Sequence, residues 1–154
     1  MSTAITLHPI AFVRSSRDVV EDDGWDAVTT SIELADHVPT ESLEGLAQFS
    51  HAEIVFVFDR LKESDVVTGA RHPRGNTAWP VVGIFAQRGK NRPNRLGATM
   101  VRVVSVDGRT VRVEGLDAID GTPVVDIKPV IREFLPRGEI RQPRWATELM
   151  KGYW

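Results

Sequence analysis

The chain has 154 residues, of which 42% are hydrophobic and 26% charged, and its formal net charge is −2, as expected for a single globular domain. Because the sequence contains no Cys, disulfides, Cys-ligated zinc, iron–sulfur clusters and a thiol nucleophile are excluded. Met1 to Ala4 lacks the basic and apolar regions of a signal peptide, and no segment approaches 18 apolar residues, so we expect a cytoplasmic protein without a membrane span.

Apolar and β-branched runs in the first 90 residues predict four short strands. The first two, Ile10–Arg14 and Thr29–Leu34, flank a polar, acidic loop from Asp18 to Asp26. The continuous apolar run Ile54–Phe58 predicts a strand that is covered on both faces. Pro80–Ala86 is a similar run and predicts the fourth strand.

The second half of the chain predicts a β-hairpin and a final strand. Met100–Val106 and Thr110–Val113 flank Asp107-Gly108. This dipeptide is a strong hairpin signal, because a type I′ turn requires positive φ angles. Pro123–Ile127 predicts the last strand, which Pro129 is expected to end.

Two short helices are also predicted. One begins at Thr40, after Pro39, with Glu41 and Glu44 in its first turns and an apolar stripe formed by Leu43, Leu46 and Ala47. The other begins after Pro143, and its stripe consists of Trp145, Leu149 and Met150. Six or seven strands with so few helices predict a mainly β protein, either a small β-barrel or a curled sheet. The final Tyr153-Trp154 pair is expected to dock on its own domain or on a partner subunit.

Charge is distributed unevenly along the chain. Residues 1–70 contain 4 Lys or Arg against 13 Asp or Glu, whereas residues 71–112 contain 9 against 1. Residues 113–154 contain 6 against 7. Such asymmetry favours an anionic partner for the basic middle of the chain. The alternative is that this basic middle pairs with the acidic first third across the fold.

Common cofactor and catalytic motifs are absent from the sequence. It has no Gly-x-Gly-x-x-Gly after a strand, no Walker loop, no His-Glu-x-x-His and no nucleophile elbow. The four His residues, at positions 8, 37, 51 and 72, lack the spacing of metal ligands, and Asp117 to Gly121 lacks the pattern of a calcium loop. We therefore expect no metal site.

Two segments stand out chemically. In the first, Gly83 to Gly97, an apolar run leads into a loop with four cations, two Asn and one Pro. Such a loop offers donors to carboxylate or phosphate groups, although it is also compatible with a solvated loop. In the second, Gly115 to Pro129, a tight turn carries two Asp and the next strand a third. Here the alternative is an Asx turn capped by Thr122, with Asp126 and Lys128 as a surface pair.

These segments resemble the signature of the TrmO (TsaA-like) family. The resemblance rests on Phe85-Ala-x-Arg88, on Arg92-Pro-Asn94-x-Leu-Gly97 and on the string Leu116-Asp-x-Ile-Asp120-Gly-Thr-Pro-Val-Val-Asp-Ile-Lys-Pro129. It also includes Ile10 to Ser15 and Leu43-x-Gly-Leu-x-x-Phe-Ser-His51. It covers about residues 10–130 of what we expect to be one domain, 1–154. The tail 131–154 is unassigned and is expected to pack on the barrel or on a dimer partner.

The resemblance implies a small β-barrel rather than a Rossmann fold, usually dimeric, that binds S-adenosylmethionine in loops near the subunit contact. Members of the family methylate tRNA at N6 of threonylcarbamoyl-adenosine next to the anticodon. By motif, the implied cofactor-binding residues are Arg88, Gly115, Leu116 and Asp117. Position alone adds four weaker candidates, which are Asp59, Arg60, Trp25 and Asp26.

The chemistry of these residue types suits that ligand. An Arg can bind the carboxylate of S-adenosylmethionine, and an Asp can accept hydrogen bonds from its ammonium group or ribose hydroxyls. Asp120 or Asp126 could take the proton from the acceptor nitrogen. Tryptophans such as Trp79 or Trp145 could stack on an unpaired base. The residues expected to contact RNA are Lys90, Arg92, Asn94 and Arg95.

The sequence departs from the family pattern in the loop expected to face the substrate. Gln87, Gly89, Lys90 and Asn91 replace the common family residues there, and Arg95 replaces a second Pro. Ala52-Glu53 stands where an apolar pair is frequent. The motifs therefore support cofactor binding more strongly than substrate identity. The alternatives are methylation of another RNA or a small molecule, or a non-catalytic cofactor-binding or RNA-binding module.

Overall fold

The protein was analysed as a computed structural model, which describes residues 3–19 and 21–154. It contains eight described strands: β1 (Ala11–Arg14), β2 (Thr29–Leu34), β3 (His51–Val57), β4 (Ala70–Arg71), β5 (Val82–Gly83), β6 (Leu96–Asp107), β7 (Thr110–Glu114) and β8 (Pro123–Pro129). One α-helix, α1 (Arg144–Leu149), is found in the described ranges, along with several single 3₁₀ turns.

Six of these strands form a closed barrel in the order β1-β2-β7-β6-β3-β8, and β8 returns to pair with β1. All pairings are antiparallel, and β4 and β5 form a separate two-stranded ladder. The prediction of a small, mainly β barrel without a Rossmann fold is therefore confirmed. Closure leaves the barrel strands without a free edge, which removes the usual site of strand-to-strand aggregation.

The barrel interior is filled by alternate residues of its strands. Ala52, Ile54 and Phe56 of β3 point inward and are almost fully buried, as are Val111 and Val113 of β7. This alternation follows from the two-residue period of a strand. The intervening Val55 and Val57 of β3 are only half-buried, so the expectation that both faces of this strand are covered is wrong.

The β6–β7 hairpin is present, but its turn lies one residue later than predicted. Asp107 pairs with Thr110, so that the central residues are Gly108 and Arg109. Gly108 has a φ of 57°, and Arg109 is not among the described residues with positive φ. A single positive φ at the first central position is the pattern of a type II′ turn, which places Gly there, rather than of the predicted type I′ turn.

Two predicted elements are shorter than expected. Instead of one helix after Pro39, the structure has two 3₁₀ turns, Thr40–Leu43 and Leu46–Gln48. Gly45 separates them with a φ of 85°, a left-handed conformation that ends a helix. Leu43 and Leu46 are buried as predicted, whereas Ala47 is exposed.

The run Pro80–Ala86 forms only the two-residue strand β5 and a 3₁₀ turn, Ile84–Ala86. Ile84 is fully buried, but Phe85 is 77% exposed, so the apolar run does not lie along a covered strand. The buried Gln87 side chain follows the turn and donates to the carbonyls of Arg71 and Val82, at 3.1 and 3.0 Å. These bonds hold the start of the basic loop, by which we mean residues 88–97.

The predicted C-terminal helix is confirmed as α1, which begins directly after Pro143. Beyond it, the chain turns back onto the barrel, because the backbone N–H groups of Gly24 and Trp25 donate to the carbonyls of Gly152 and Tyr153. The final Tyr153-Trp154 pair therefore docks on its own domain. Within the described ranges, no helix combines the length and apolar character needed to cross a membrane.

Candidate functional site

Arg88 and Asp117 are anchored on neighbouring residues of β6. The Arg88 guanidinium donates to the carbonyl oxygen of Ala98 at 2.6 Å. The hydroxyl of the next residue, Thr99, donates to one carboxylate oxygen of Asp117. Neither Arg88 nor Asp117 forms a salt bridge with another described residue. One cationic and one anionic group are therefore each bonded to one of two consecutive residues of β6, and neither is neutralised by a salt bridge.

The second oxygen of Asp117 accepts a hydrogen bond from the Tyr153 hydroxyl. Burial raises the pKa of Tyr153 well above its ordinary value, and the Asp117 charge raises it further. The positive charges of Arg74 and Arg88 act in the opposite direction on the same pKa. Tyr153 is thus a neutral hydrogen-bond donor at physiological pH.

Gly115 and Leu116 lead into Asp117 from the end of β7. Gly115 has a φ of 82°, and a Cβ added there would lie 3.4 Å from a carboxylate oxygen of Asp26, so Gly115 and Asp26 are neighbours. Leu116 is fully buried and belongs to the barrel core. Its burial fixes the loop that carries Asp117.

Asp26 is held by Arg102 of β6. Its carboxylate accepts from the Arg102 guanidinium at 2.8 Å, and Glu114 accepts from the same group at 3.1 Å. These two hydrogen bonds raise the pKa of Arg102. Together with Gly115 and Trp154, these residues line a cavity of about 300 Å³. The predicted cofactor residues Gly115 and Asp26 therefore share one cavity.

Trp25 is almost fully buried and packs beneath Arg17, whose guanidinium carbon lies 3.8 Å from the ring centroid. Its indole N–H donates to the carbonyl of Asp22 at 3.1 Å. One face of the ring is thus occupied within the chain itself. The backbone N–H of Trp25 donates to the carbonyl of Tyr153, so that Trp25 is joined to the residue that contacts Asp117.

Arg60 and Asp120 lie in a second cluster, at the end of β1. The Arg60 guanidinium donates to the carbonyls of Asp18 and Asp120 at 2.6 and 3.2 Å. The Asp120 carboxylate accepts from the backbone N–H of Ser15 at 3.0 Å. The Asp59 side chain is exposed beside Arg60. These contacts tie loops together, and none of them reaches Arg88 or Asp117.

Asp126 lies apart from both clusters. It forms an ion pair with Lys128 at 2.9 Å, and this pair raises the pKa of Lys128. Asp126 also lines a cavity of about 470 Å³, together with Ile10, Leu34 and mostly apolar residues of the two turns after Pro39. No other predicted site residue lines that cavity. The Asp126–Lys128 pair and the Thr122 hydroxyl, which closes its turn on the carbonyl of Ile119, match the structural alternative. The Asp120 carboxylate does not form the Asx turn of that alternative, because it accepts from the distant Ser15 N–H.

The basic loop is shaped by its own arginines. Arg92 donates to the carbonyl of Gln87 at 2.6 Å, and Arg95 donates to the carbonyl of Leu61 at 2.5 Å. A carbonyl is a dipole rather than a charge, so these bonds fix the guanidiniums without neutralising them. Lys90 is half-buried, and Asn94 is exposed with a φ of 64°. Positive charge is therefore displayed on a loop whose arginines are held by hydrogen bonds.

Arg95 has a φ of 52°, in the left-handed region. A Pro at this position, where the family signature has its second Pro, cannot adopt this angle because its ring fixes φ near −65°. The Arg95 backbone N–H also donates to the carbonyl of Arg92 at 3.0 Å, a bond that Pro cannot form. The replacement of Pro thus changes the backbone of the loop as well as its charge.

The basic block 71–112 is only partly neutralised by the acidic first third. Arg74 pairs with Asp23 at 3.0 Å and Arg102 with Asp26 at 2.8 Å. Among the residues that the structure describes, no other cation of this block forms a salt bridge. Internal ion pairs therefore involve a minority of the cations of this block, and the other described cations are not neutralised by a salt bridge.

Several residues of the site were not predicted from the sequence. Thr99, Arg102 and Glu114 are separated from their partners along the chain, and no local pattern marks them. Tyr153 carries the one signal that pointed to a contact, because a final aromatic pair is unusual for a frayed terminus. No group of three metal-ligating side chains occurs among residues 3–19 and 21–154.

Comparison with known proteins defines the family. The model of the tRNA-methyltransferase O N-terminal domain matches residues 20–134. The chain belongs to this family. The match includes Arg88, Asp117 and the basic loop, while Tyr153 lies beyond it.

Curated relatives carry related names. The human protein named tRNA (adenine(37)-N6)-methyltransferase is 39% identical over 105 residues, which are 68% of this chain and 23% of that protein. The Escherichia coli protein of the same name is 38% identical over 112 residues, 69% of this chain and 45% of that protein. A putative S-adenosylmethionine-dependent methyltransferase, RcsF, from Pseudomonas aeruginosa is 38% identical over 108 residues, which are 68% of this chain and 44% of that protein. The chain thus spans less than half the length of these three relatives.

Solved structures show the same fold. A crystal structure of TrmO from Pseudomonas aeruginosa superposes with a TM-score of 0.74 at 27% identity, covering 94% of this chain and 63% of that one. A second crystal structure of TrmO from this organism gives a TM-score of 0.70 at 28% identity, covering 90% and 62%. Nine-tenths or more of this chain therefore has a counterpart in each of these two structures.

Proposed function

We propose that this chain binds S-adenosylmethionine and methylates N6 of threonylcarbamoyl-adenosine next to the tRNA anticodon. Family membership supports the reaction class, and the names of the human and Escherichia coli relatives support the base and its position. Relatives named as S-adenosylmethionine-dependent or S-adenosylmethionine-binding support the cofactor. We propose further that residues 1–154 form one domain, and that the protein acts in the cytoplasm as a homodimer.

The observation that carries this proposal is that Arg88 and Asp117 are hydrogen-bonded to the consecutive β6 residues Ala98 and Thr99. The amino-acid end of S-adenosylmethionine presents a carboxylate and an ammonium group a few bonds apart. Arg88 offers charged donors to the carboxylate, and Asp117 offers a charged acceptor to the ammonium group. The donor set of this chain therefore fits the cofactor.

When bound, S-adenosylmethionine supplies an activated methyl group on a sulfonium centre. The residues of this chain then need to align the acceptor nitrogen in line with that methyl group and to exclude water. Neither task requires a nucleophilic side chain. Asp117 adds a negative charge beside the cationic cofactor, and the neighbouring cavity between Asp26 and Trp154 offers room next to it.

The basic loop is proposed to bind the tRNA. Lys90, Arg92 and Arg95 supply positive charge to phosphates or to the carboxylate of the threonylcarbamoyl group, and Asn94 supplies an exposed amide. An unpaired base near the anticodon can leave its stack at low cost. Trp79 and Trp145 are both half-buried, so part of each ring is accessible for stacking.

The proton of the acceptor nitrogen must be removed during the reaction. Asp120 and Asp126 are the predicted acceptors, yet each already has a structural partner, the Ser15 backbone and Lys128. Asp120→Asn and Asp126→Asn test this role directly. Loss of turnover with unchanged cofactor binding in either variant supports that carboxylate as the base, and full turnover in both excludes Asp120 and Asp126 from this role.

One observation favours a second candidate function, which is methyl transfer to a different RNA or to a small molecule. The left-handed Arg95 gives the loop a backbone that the Pro of the family signature cannot adopt. The substrate-facing loop therefore differs in shape from the pattern, while the Arg88 and Asp117 contacts remain.

Two measurements test the proposal. Calorimetry with S-adenosylmethionine should show binding that Arg88→Ala and Asp117→Asn each weaken by tenfold or more, whereas Phe134→Leu, a change at an exposed side chain, leaves it unchanged. Methylation of tRNA with and without the threonylcarbamoyl group should show activity only on the modified form. Cofactor binding without activity on either tRNA would favour the second candidate, and absence of cofactor binding would refute both.

A further inference from the structure

The last three residues of the chain lie against the candidate cofactor site. The backbone N–H groups of Gly24 and Trp25 donate to the carbonyls of Gly152 and Tyr153 at 3.0 and 2.9 Å. These two bonds hold the end of the chain beside Asp26 and Gly115. Trp154 continues from there and lines the 300 Å³ cavity, with 49% of its surface exposed.

The tail is also fixed further back, at α1. The Glu148 carboxylate accepts from the Trp79 indole N–H at 2.9 Å and from Arg144 at 2.9 Å. Because α1 and the final residues are both attached, the path of the chain between them is set at both ends. Tyr153 therefore reaches Asp117 as part of a held segment.

The two oxygens of the Asp117 carboxylate are bound by two hydroxyl groups. Thr99 donates to one oxygen and Tyr153 to the other. Two donors from opposite sides restrict rotation of the carboxylate about its χ2 angle, which is otherwise broad. Both donors are neutral, so the full negative charge remains, in contrast to what an Arg or Lys partner would leave. A carboxylate also has about four acceptor positions, so it can still accept from a ligand.

We propose that Tyr153 is a positioning residue of the cofactor site, which orients the Asp117 carboxylate toward the cationic amino-acid end of S-adenosylmethionine. This inference rests on the function proposed above, because it assigns Asp117 to that cofactor. It extends the site beyond residues 20–134, to a tail that the family match does not include. Trp79 and Glu148 serve the same purpose indirectly, by holding α1.

The position of Tyr153 has one competing interpretation, in which the tail covers the site and must leave before the cofactor binds. The two interpretations predict opposite effects of removing the hydroxyl. If Tyr153 orients Asp117, its loss weakens binding. If Tyr153 closes the site, its loss strengthens binding.

The test is calorimetric titration of the full chain with S-adenosylmethionine at fixed salt. Tyr153→Phe removes only the hydroxyl, and we expect it to weaken binding about tenfold, the effect of one lost hydrogen bond to a charged group. The matched control is Phe134→Leu, which changes an exposed aromatic side chain of the same C-terminal segment and should bind as the unmodified chain does. Thr99→Val removes the opposite hydroxyl and should also weaken binding.

A double variant separates positioning from general stabilisation. If Tyr153 acts through Asp117, then Tyr153→Phe adds little to Asp117→Asn, and the combined variant binds about as weakly as Asp117→Asn alone. A merely structural role would lower the midpoint of thermal unfolding and add its effect on binding to that of Asp117→Asn. Additive losses therefore overturn the proposal.

The remaining outcomes are also decisive. Unchanged binding in Tyr153→Phe, with weakened binding in Arg88→Ala and Asp117→Asn, overturns the positioning role and leaves the proposed function intact. Tighter binding in Tyr153→Phe overturns the positioning role and supports the competing interpretation, in which the tail covers the site and must leave before the cofactor binds. Unchanged binding in Arg88→Ala and Asp117→Asn refutes the cofactor site itself, and the role of Tyr153 fails with it.

Discussion

The indole N–H of Trp79 donates to a carboxylate oxygen of Glu148 over 2.9 Å, across 69 positions of the chain. This bond joins the loop before β5 to α1. We expect Trp79→Phe to loosen α1 and the final residues, because Phe has no donor. Hydrogen exchange measured by mass spectrometry should then be faster in peptides from 144–154 and unchanged in peptides from β3. Unchanged exchange in the tail would show that α1 is held by other contacts.

The attachment of α1 through Glu148 should weaken at acid pH. Bonds from Trp79 and Arg144 lower the pKa of Glu148 below its ordinary value. A carboxyl group with a lowered folded-state pKa stabilises the fold above its unfolded value of about 4.3, and this contribution is lost as the pH falls through the lowered pKa. The protection of 144–154, taken relative to the intrinsic exchange rate at each pH, should therefore decrease as the pH falls below about 4 in the unmodified chain, whereas Glu148→Gln should show no such step.

Tyr153 offers a second pH-dependent signal, since it is the only Tyr in the sequence. Its raised pKa predicts that tyrosinate absorbance appears at a higher pH than the ordinary value of about 10. Above that value the unfolded chain loses this proton while the folded chain keeps it. The free energy of unfolding should then decrease with rising pH, by up to about 1.4 kcal/mol per pH unit more than in Tyr153→Phe.

Titration of the variants shows in which direction each neighbouring charge shifts the pKa of Tyr153. Asp117→Ala should lower the pKa of Tyr153, because it removes a nearby negative charge and an acceptor. Arg88→Ala should raise that pKa further, because it removes a stabilising cation. Tyrosinate formation at the ordinary pH in the unmodified chain would contradict the buried contact with Asp117.

Gly97 is required by close packing in β6. A Cβ added there would lie 2.5 Å from two ring atoms of the buried Phe56, which also packs edge-on against Phe58. We expect Gly97→Ala to lower the free energy of unfolding by about 1 to 3 kcal/mol, because the ring has little room to move. Gly83→Ala is the matched control, since nothing lies within 4 Å of its added Cβ. Equal stability of the two variants in urea denaturation would contradict this packing.

The sequence predicts the barrel better than its connections. Strands β1, β2, β3, β6, β7 and β8 were all anticipated, because alternating or continuous apolar runs mark them directly. The run Pro80–Ala86 predicts a full strand but forms only the two-residue β5 and a 3₁₀ turn, and its apolar residues include the exposed Phe85. The break at Gly45 depends on one backbone angle, which the stripe Leu43, Leu46 and Ala47 does not reveal.

Only those residues of the site that belong to a recognisable sequence motif could be predicted. Arg88 and Asp117 come from the family signature, and the structure brings them to neighbouring residues of β6. Thr99 lies 18 positions from Asp117 and Tyr153 lies 36 positions from it, so both contacts depend on the closed barrel and the returning tail. A local sequence pattern does not indicate which residues so far apart in the chain will be in contact.

RNA binding should separate two kinds of cation in the basic loop. Lys90→Ala should reduce the slope of log affinity against log salt by about 0.7 to 0.9, the effect of one lost phosphate contact, without a change in stability. Arg92→Ala should do the same and also lower the free energy of unfolding by about 1 to 2 kcal/mol, because its bond to Gln87 is lost. The measurements are tRNA binding across a salt series and urea denaturation. A flat salt slope in the unmodified chain would show that the loop does not contact phosphate.

The carbonyl bonds of Arg88, Arg92 and Arg95 have a consequence for affinity. A free Arg side chain samples many rotamers, and immobilising it costs up to about 2 kcal/mol of conformational entropy. In this protein that entropy is lost when the chain folds, before any anion arrives. A ligand therefore meets guanidiniums that are already in place, and each contact contributes more to binding than the same charge would from a mobile side chain.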